Sequence, residues 1–436
     1  MSLNPAGTRR NGEWRVASGD SPLFAARHSL LATITAPAKS VENPYCSTIA
    51  IDSNRCYHYV GDNEGDVKTM TGRERVLRAY RHEEVDRTPI GEMYEIAPPT
   101  REVILGKRCG FVERMEMLRD ADWMSIVENE AREIIEIAVR LGFDMIGVRR
   151  NIPPGFERPR PISKYKWETS DTIYEYIPES GITRTYRKEN PSPREQFVNE
   201  ETVEIPDPEF YVFRRVKELM SERGIELAIF SPVYGIPVAT LGQRLEWFYT
   251  QPERLHRFYD ECTQNVISTA RKLVEMGADI IGLGGDLACD KGPMISPRHY
   301  REFIMPQIRR QADALHELGV FVNNTSDGDL WPIIDDFLIG THVDGYGEID
   351  KAAGMDLKRL KQRYGDRICF VGNLDIRWTF TRGTPEDCRR EMIECIEAGW
   401  GRGGHIICTS NLVHKDVKPE NYLAAIDAYH EYFRSS

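Results

Sequence analysis

The chain has no uninterrupted apolar stretch of about 18 residues, which excludes a conventional membrane-spanning helix. Its first residues lack the apolar core of a secretory leader. No CxxC pair occurs among the nine cysteines, at positions 46, 56, 109, 262, 289, 369, 388, 395 and 408. An odd, scattered set argues against a disulfide framework or a zinc ribbon and makes reduced thiols in a cytoplasmic protein the plain expectation. The glycine pairs Gly284-Gly285 and Gly403-Gly404 read as close-packing positions rather than phosphate cradles. Positive charge is in deficit, with 57 Lys and Arg against 68 Asp and Glu and a net charge of −11, the opposite of a nucleic-acid-binding surface. What is present is ordinary: 41% hydrophobic and 29% charged residues in a chain of 436, long enough for a large barrel with insertions.

Residues 1–69 are rich in small, polar and charged types without a sustained period, and read as an irregular or disordered extension. Met70 is expected to be the natural start, the preceding residues being an over-extended reading frame. Thr71 followed by Glu74 spells a capping box that opens a helix. From there to residue 436, short apolar, β-branched runs alternate with segments of helical period. The runs are Thr88–Glu95, Met145–Arg150, Leu227–Tyr234, Ile280–Asp286, Val320–Asp327, Val343–Glu348, Ile368–Asp375 and His405–Asn411. The helical segments include Met115–Leu141, Arg244–Met276, Pro297–Leu318 and Pro385–Ala398. This alternation predicts parallel strands joined by crossover helices, and eight runs predict a closed (β/α)8 TIM barrel rather than the alternative doubly wound open sheet. Residues from about 152 to 206, with Pro153-Pro154 and the aromatic-rich segments Thr172–Ile177 and Thr183–Arg187, form an insertion after the second strand. It reads as a hairpin, and either a lid over the barrel mouth or a packed excursion.

In such a barrel the chemistry gathers at the C-terminal ends of the strands. Glu92, Tyr94 and Glu95 end the first run and Arg149 and Arg150 the second. Tyr234 ends the third, Asp286 the fourth, and Asn324 and Asp327 the fifth. Tyr346 and Glu348, with Asp344, lie in the sixth. Asn373 and Asp375 end the seventh, and Asn411 the eighth, with His414 close behind. Carboxylates crowded at one mouth raise one another's pKa and provide a proton donor near neutrality, or ligate a hard cation through oxygen. Each has a structural alternative: Asp329 as a helix cap, Asp344 in a turn, Asp375 paired with Arg377. Arg149 and Arg150 either hold a substrate carboxylate or phosphate or neutralise the acids around them. His405, inside an apolar run, reads as a core residue.

Several of these stretches resemble the uroporphyrinogen decarboxylase superfamily. They are MTGRERVLRAYRHEEVDR at Met70–Arg87 followed by Thr88-Pro89, Asp286–Pro297 with Arg301–Pro306, TSDGDL at Thr325–Leu330, Ala353–Asp356, GNLD at Gly372–Asp375, and Lys418–Asn421. They occur in the family's order over residues 70 to 433. The resemblance implies a TIM barrel, often dimeric, and two chemistries. Decarboxylation of a porphyrinogen needs two arginines in the opening loop. Here that loop reads PIGEMYEIAPPT, with Tyr94 and Pro98 at the arginine positions and Glu92 and Glu95 adding negative charge. Methyl transfer by the thiol-activating members uses zinc on a His-x-Cys pair and a later Cys. The matching positions here are Thr325, Asp327 and Asn411, so the resemblance implies no such site, and any metal would need oxygen ligands.

What the resemblance leaves is a member that takes a methyl group from a small ether or amine and passes it to a corrinoid carried by a partner protein. Asp327, Asp286 or Glu348 would be the general acid. Glu92, Tyr94, Glu95, Arg149, Arg150, Tyr234, Asn324, Tyr346, Asn373 and Asn411 are the expected substrate-binding residues. The alternatives are a cofactor-independent decarboxylase of a porphyrinogen-like or small carboxylate, and a non-catalytic binding barrel.

Overall fold

Helix α1 (Gly72–Tyr80) starts at Thr71, whose hydroxyl accepts the Glu74 backbone N–H at 3.2 Å. Only this half of the expected capping box forms. The Glu74 carboxylate lies 4.0 Å from Arg78, one turn on. Thr71→Ala is expected to cost about 1 kcal/mol of stability, read as a lowered urea midpoint at unchanged slope. The structure is a computed structural model and describes residues 70–120, 123–149, 159–169, 172–178, 182–188, 210–238, 245–401 and 403–434. The expectations for residues 1–69 lie outside the described residues.

All eight apolar runs contain a strand: β1 (Gly91–Glu92), β2 (Met145–Gly147), β3 (Ala228–Pro232), β4 (Ile280–Gly284), β5 (Phe321–Thr325), β6 (Gly345–Gly347), β7 (Cys369–Val371) and β8 (His405–Ile406). Each pairs in parallel with the next in that order, and a parallel bridge between Ile90 and Ile407 returns β8 to β1. The ring is a (β/α)8 TIM barrel. Outside it lie α2 (Trp123–Leu141), α3 (Tyr211–Arg223), α4 (Pro252–Glu275), α5 (Met305–His316), α6 (Leu357–Tyr364), α7 (Pro385–Gly399) and α8 (Pro419–Arg434). The segment expected as one helix over 244–276 is broken, because Pro252 starts α4 after a separate short turn at Trp247–Thr250. Likewise Met115–Leu141 divides into Phe111–Asp120 and α2. No helix among the described residues is long and apolar enough to cross a membrane.

Strand alternation sorts the core. Met145, Ala228, Phe230, Ile280, Cys369, Val371 and Ile406 share one buried cluster inside the barrel, while Ile146, Ile229, Ile281 and Phe370 face the helices. Val76, Ala79 and Tyr80 of α1 join the inner cluster, so α1 plugs the N-terminal end. Tyr80 donates to Asn323 Oδ1 at 3.2 Å. That approach needs glycine opposite: a Cβ on Gly345 would come within 2.3 Å of Asn323 Oδ1, and one on Gly347 within 2.6 Å of Met93 Sδ.

A repeated device ties the N-terminal end together. Asp144, Asp279 and Asp344 each precede an even-numbered strand and accept a backbone N–H from the preceding odd one: Ile90 at 3.0 Å, Ile229 at 3.0 Å and Val322 at 2.7 Å. Asp344 therefore sits at the end opposite the mouth, which corrects its inclusion among the mouth carboxylates. Its second partner is His316 at 2.8 Å.

The insertion after β2 is larger than a hairpin. Arg160–Ser163, Lys166–Glu168, Thr172–Ile177 and Ile182–Arg187 form a four-stranded antiparallel sheet. Its Trp167 and Tyr174 are buried against Met115 and Ile126, which seats it on the helices outside the barrel.

Candidate active site

Residues two positions beyond a strand end keep the strand's alternation and carry side chains to the mouth. Tyr94, Arg149, Tyr234, Asp286 and Asp327 stand at that position after β1 to β5, and Glu348 follows β6 directly. Glu348 is 8% exposed and holds φ +61, a left-handed backbone that is uncommon outside glycine. Such strained residues cluster at functional sites.

Burial pushes the Glu348 carboxyl up to about 8; the Tyr94 hydroxyl works against that shift, Asp327 and Asp286 add to it, and Arg149 opposes it. Asp327 is raised to about 6, first by burial and then by Asp286 and Asp350, with Arg377 pulling the other way. Asn411 donates to Asp327 Oδ2 at 3.3 Å. The Tyr94 ring is buried, 6.4 Å from the Tyr234 ring, and the Arg149 guanidinium lies over it at 4.9 Å. Burial, Glu348 and Tyr234 hold the Tyr94 hydroxyl well above its ordinary range. Tyr234 is half-exposed, with its hydroxyl pushed by burial up to about 12. The site is thus a cluster of acids, two tyrosines and one arginine, in which Glu348 stays protonated at neutral pH.

Other expected site residues are used elsewhere. Glu92 is buried in the wall between β1 and β8. There it accepts from Thr409 Oγ1 at 2.6 Å, Tyr422 at 2.8 Å, Cys408 Sγ at 3.3 Å and the Thr409 N–H at 3.3 Å. Burial raises its pKa against those four donors. Glu95 is exposed, 3.7 Å from Arg101. Asn324 points outward and donates to the Phe337 carbonyl at 3.2 Å, because its neighbour Asn323 takes the inward position. Tyr346 also points outward, edge-on to Phe337, with its hydroxyl donating to the Ser326 carbonyl at 3.3 Å. Asn373 is buried and donates to the Met355 carbonyl at 3.4 Å. Arg150 lies outside the described residues.

The structural alternatives take a different form: Asp329 accepts the Trp331 N–H at 3.0 Å from one residue before the cap position, and Asp375 accepts the Arg377 and Trp378 backbone N–H groups, not the Arg377 guanidinium. The Arg377 guanidinium, expected on Asp375, goes elsewhere. It bridges Asp290 at 2.7 Å and Asp350 at 2.9 Å beside Asp327, partners 87 and 27 residues away that no local pattern announces.

The positions matching the family's zinc ligands do not suit a metal. Thr325 donates its hydroxyl to the Leu283 carbonyl at 2.6 Å, and Asn411 turns an amide N–H, not an oxygen, toward Asp327. Among the described residues no group of three or more His, Cys, Asp or Glu side chains is placed to hold a metal ion. The described cysteines are free thiols, and Cys408 is held far above its ordinary range by burial and Glu92.

An eight-stranded parallel barrel with acids at its C-terminal mouth defines a TIM-barrel protein whose candidate site lies where such barrels carry theirs. Residues 229–432, just under half of the chain, match the family model described as uroporphyrinogen decarboxylase (URO-D). Curated relatives include a uroporphyrinogen decarboxylase of Alkalilimnicola ehrlichii, 31% identical over 42% of this chain and 48% of the relative. That of Pseudoalteromonas atlantica is 27% identical over 42% and 50%. The chain spans about half the length of these relatives. A solved methyltransferase from Methanosarcina mazei superposes with a TM-score of 0.58 at 18% identity, covering 84% of this chain and 99% of that one, which is a likeness of fold.

Proposed function

We propose that this barrel removes a methyl group from a small ether or amine in the cytoplasm and passes it to a corrinoid carried by a partner protein. The observation that carries the reading is the acid pair, Asp327 at about 6 and Glu348 at about 8, beside Tyr94 and Tyr234. When the bond from the methyl carbon to oxygen or nitrogen breaks, its electron pair stays on the heteroatom. A carboxylic acid that is still protonated at neutral pH can deliver the proton that the heteroatom then needs. Tyr94 and Arg149 act on Glu348 through their fields, and Asn411 orients Asp327. The corrinoid supplies the nucleophile that accepts the methyl group.

The charge pattern supports a substrate that is neutral or cationic. Arg149 lies over the Tyr94 ring, and Arg377 is held by two aspartates, so Arg377 is not free for a polycarboxylate and the acids around Arg149 would oppose one. A second reading, a decarboxylase, is favoured by the similarity to uroporphyrinogen decarboxylases, with Arg149 as the carboxylate holder.

The test incubates the protein with cob(I)alamin and a panel of methyl ethers and methylamines. The expected result is a change in the corrinoid's visible spectrum matched by release of the demethylated alcohol or amine, with both lost in Asp327→Asn. No spectral change, with carbon dioxide released from small carboxylates, would overturn methyl transfer in favour of the lyase.

A further inference from the structure

The residues on either side of Asp327 carry a small hairpin. Beyond β4 the chain doubles back, Ala288–Cys289 pairing antiparallel with Gly292–Pro293 around the exposed turn Asp290-Lys291. Ser326 Oγ accepts the Leu287 N–H at 3.1 Å, and the Asp329 N–H donates to the Cys289 carbonyl at 2.9 Å. Gly328, at φ +81, lies so close that a Cβ would come within 2.7 Å of the Ala288 carbonyl carbon.

One side chain fastens the hairpin's tip. Arg377, after β7, grips both Asp290 carboxylate oxygens, at 2.7 and 2.9 Å, and reaches the buried Asp350, after β6, at 2.9 Å. A planar guanidinium suits such a two-point grip. Isolated surface ion pairs are weak, but this one is prepared from the interior. The buried Glu391 of α7 accepts the Asp375 N–H at 2.6 Å, and Asp375 in turn accepts the Arg377 and Trp378 N–H groups. Asp350 is itself fixed by accepting the Ala353 N–H at 3.2 Å. Because β5 stands between β4 and β6 in the ring, the grip spans the loop that carries Asp327.

We propose that Arg377 is a positioning residue of the mouth: with Asp290 it clasps the hairpin after β4 over Asp327 and keeps water from that carboxyl. What the clasp does for proton donation rests on the reading of Asp327 given above; the clasp itself does not.

In the full chain, hydrogen exchange at the Asp329 amide, which is bonded to the hairpin, should quicken about ten-fold in Asp290→Asn and in Arg377→Met, the loss of one charge-assisted contact. Lys291→Met, one residue along the turn, should leave it unchanged. Asp290 is exposed, so its variant folds and carries the test if Arg377→Met, which strands the buried Asp350, does not. The second readout is the titration of Asp327, followed by carboxyl-carbon NMR. Burial is the first cause holding it up to about 6; Asp286, Asp350 and Asp290 add to it and Arg377 opposes. The neighbouring Asn411 is neutral, and Glu348 keeps its proton in this range. Opening the hairpin admits water and should lower the titration in both variants. A guanidinium acting by charge alone would raise it in Arg377→Met, which would overturn the clasp, as would unchanged exchange in Asp290→Asn. If exchange and titration both respond as expected while Asp327→Asn leaves demethylation intact, the clasp stands and the acid reading fails.

Discussion

Glu348→Gln is expected to lower demethylation by about 10²- to 10⁴-fold, the range lost with a general acid, and to make the folded chain more stable at alkaline pH. The second effect follows from linkage. An ordinary glutamate releases its proton near 4.5, while this one holds it to about 8. Between those values the folded chain binds a proton that the unfolded chain has given up, so stability falls as the pH climbs from 4.5 through 8 and is flat on either side. At roughly 1.4 kcal/mol per pH unit, the ionised carboxylate costs on the order of 4 kcal/mol above pH 8. Glutamine keeps the size and the left-handed backbone and carries no charge to bury. Urea midpoints of the two proteins should therefore coincide near pH 5 and separate by pH 9, with the variant the more stable. Equal midpoints at pH 9 would mean that Glu348 ionises freely in water, and it would lose its place as the acid. A site that is less stable for being functional is the usual trade between activity and stability.

The barrel was legible in the sequence because each strand is a short apolar run bounded by helical period, a signal held within a few residues. All eight runs contain their strand. The site was legible only where its position relative to a strand end decides the outcome. Tyr94, Arg149, Tyr234, Asp286, Asp327 and Glu348 follow that rule. Asn324 and Tyr346 lie inside strands, where the facing depends on a period of two that a one-residue choice reverses; Asn323, not Asn324, faces the axis. Glu92 was misjudged for another reason. Its four donors come from the segment after β8 and from α8, more than 300 residues away, and nothing local distinguishes a carboxylate satisfied inside the wall from one presented to substrate. Arg377 is the same problem in a cation. The aspartates before β2, β4 and β6 were in plain view, yet only the ring of paired strands shows that Asp144, Asp279 and Asp344 do one job at the far end.

Of those three, Asp144→Ala is expected to destabilise the fold by about 3–5 kcal/mol, the cost of leaving a buried charge without its partner. Asp144 receives Arg75 at 2.6 Å, Arg87 at 2.7 Å and the Ile90 N–H at 3.0 Å, and both arginines are buried. Burial by itself would weaken the protonated form of Arg87; Asp144 and Tyr429 more than offset it, and its pKa stands above the ordinary value. With the carboxylate gone, Arg75 keeps Asp86 and Arg87 keeps the Tyr429 hydroxyl and ring, but both lose the buried carboxylate they share. Asp279 does the same backbone work, but its guanidinium partner, Arg73, is about half-exposed. Water can replace that pairing, so Asp279→Ala should cost roughly 1–2 kcal/mol, mostly for the lost acceptor of the Ile229 N–H. The comparison isolates burial, because the strand geometry is shared. Urea unfolding of both variants at pH 7 measures it. Equal losses would show that the backbone hydrogen bond, common to both, carries the effect and that the buried ion pair adds nothing. Adding Arg87→Met to Asp144→Ala should then recover much of the loss only if an uncompensated guanidinium is its cause.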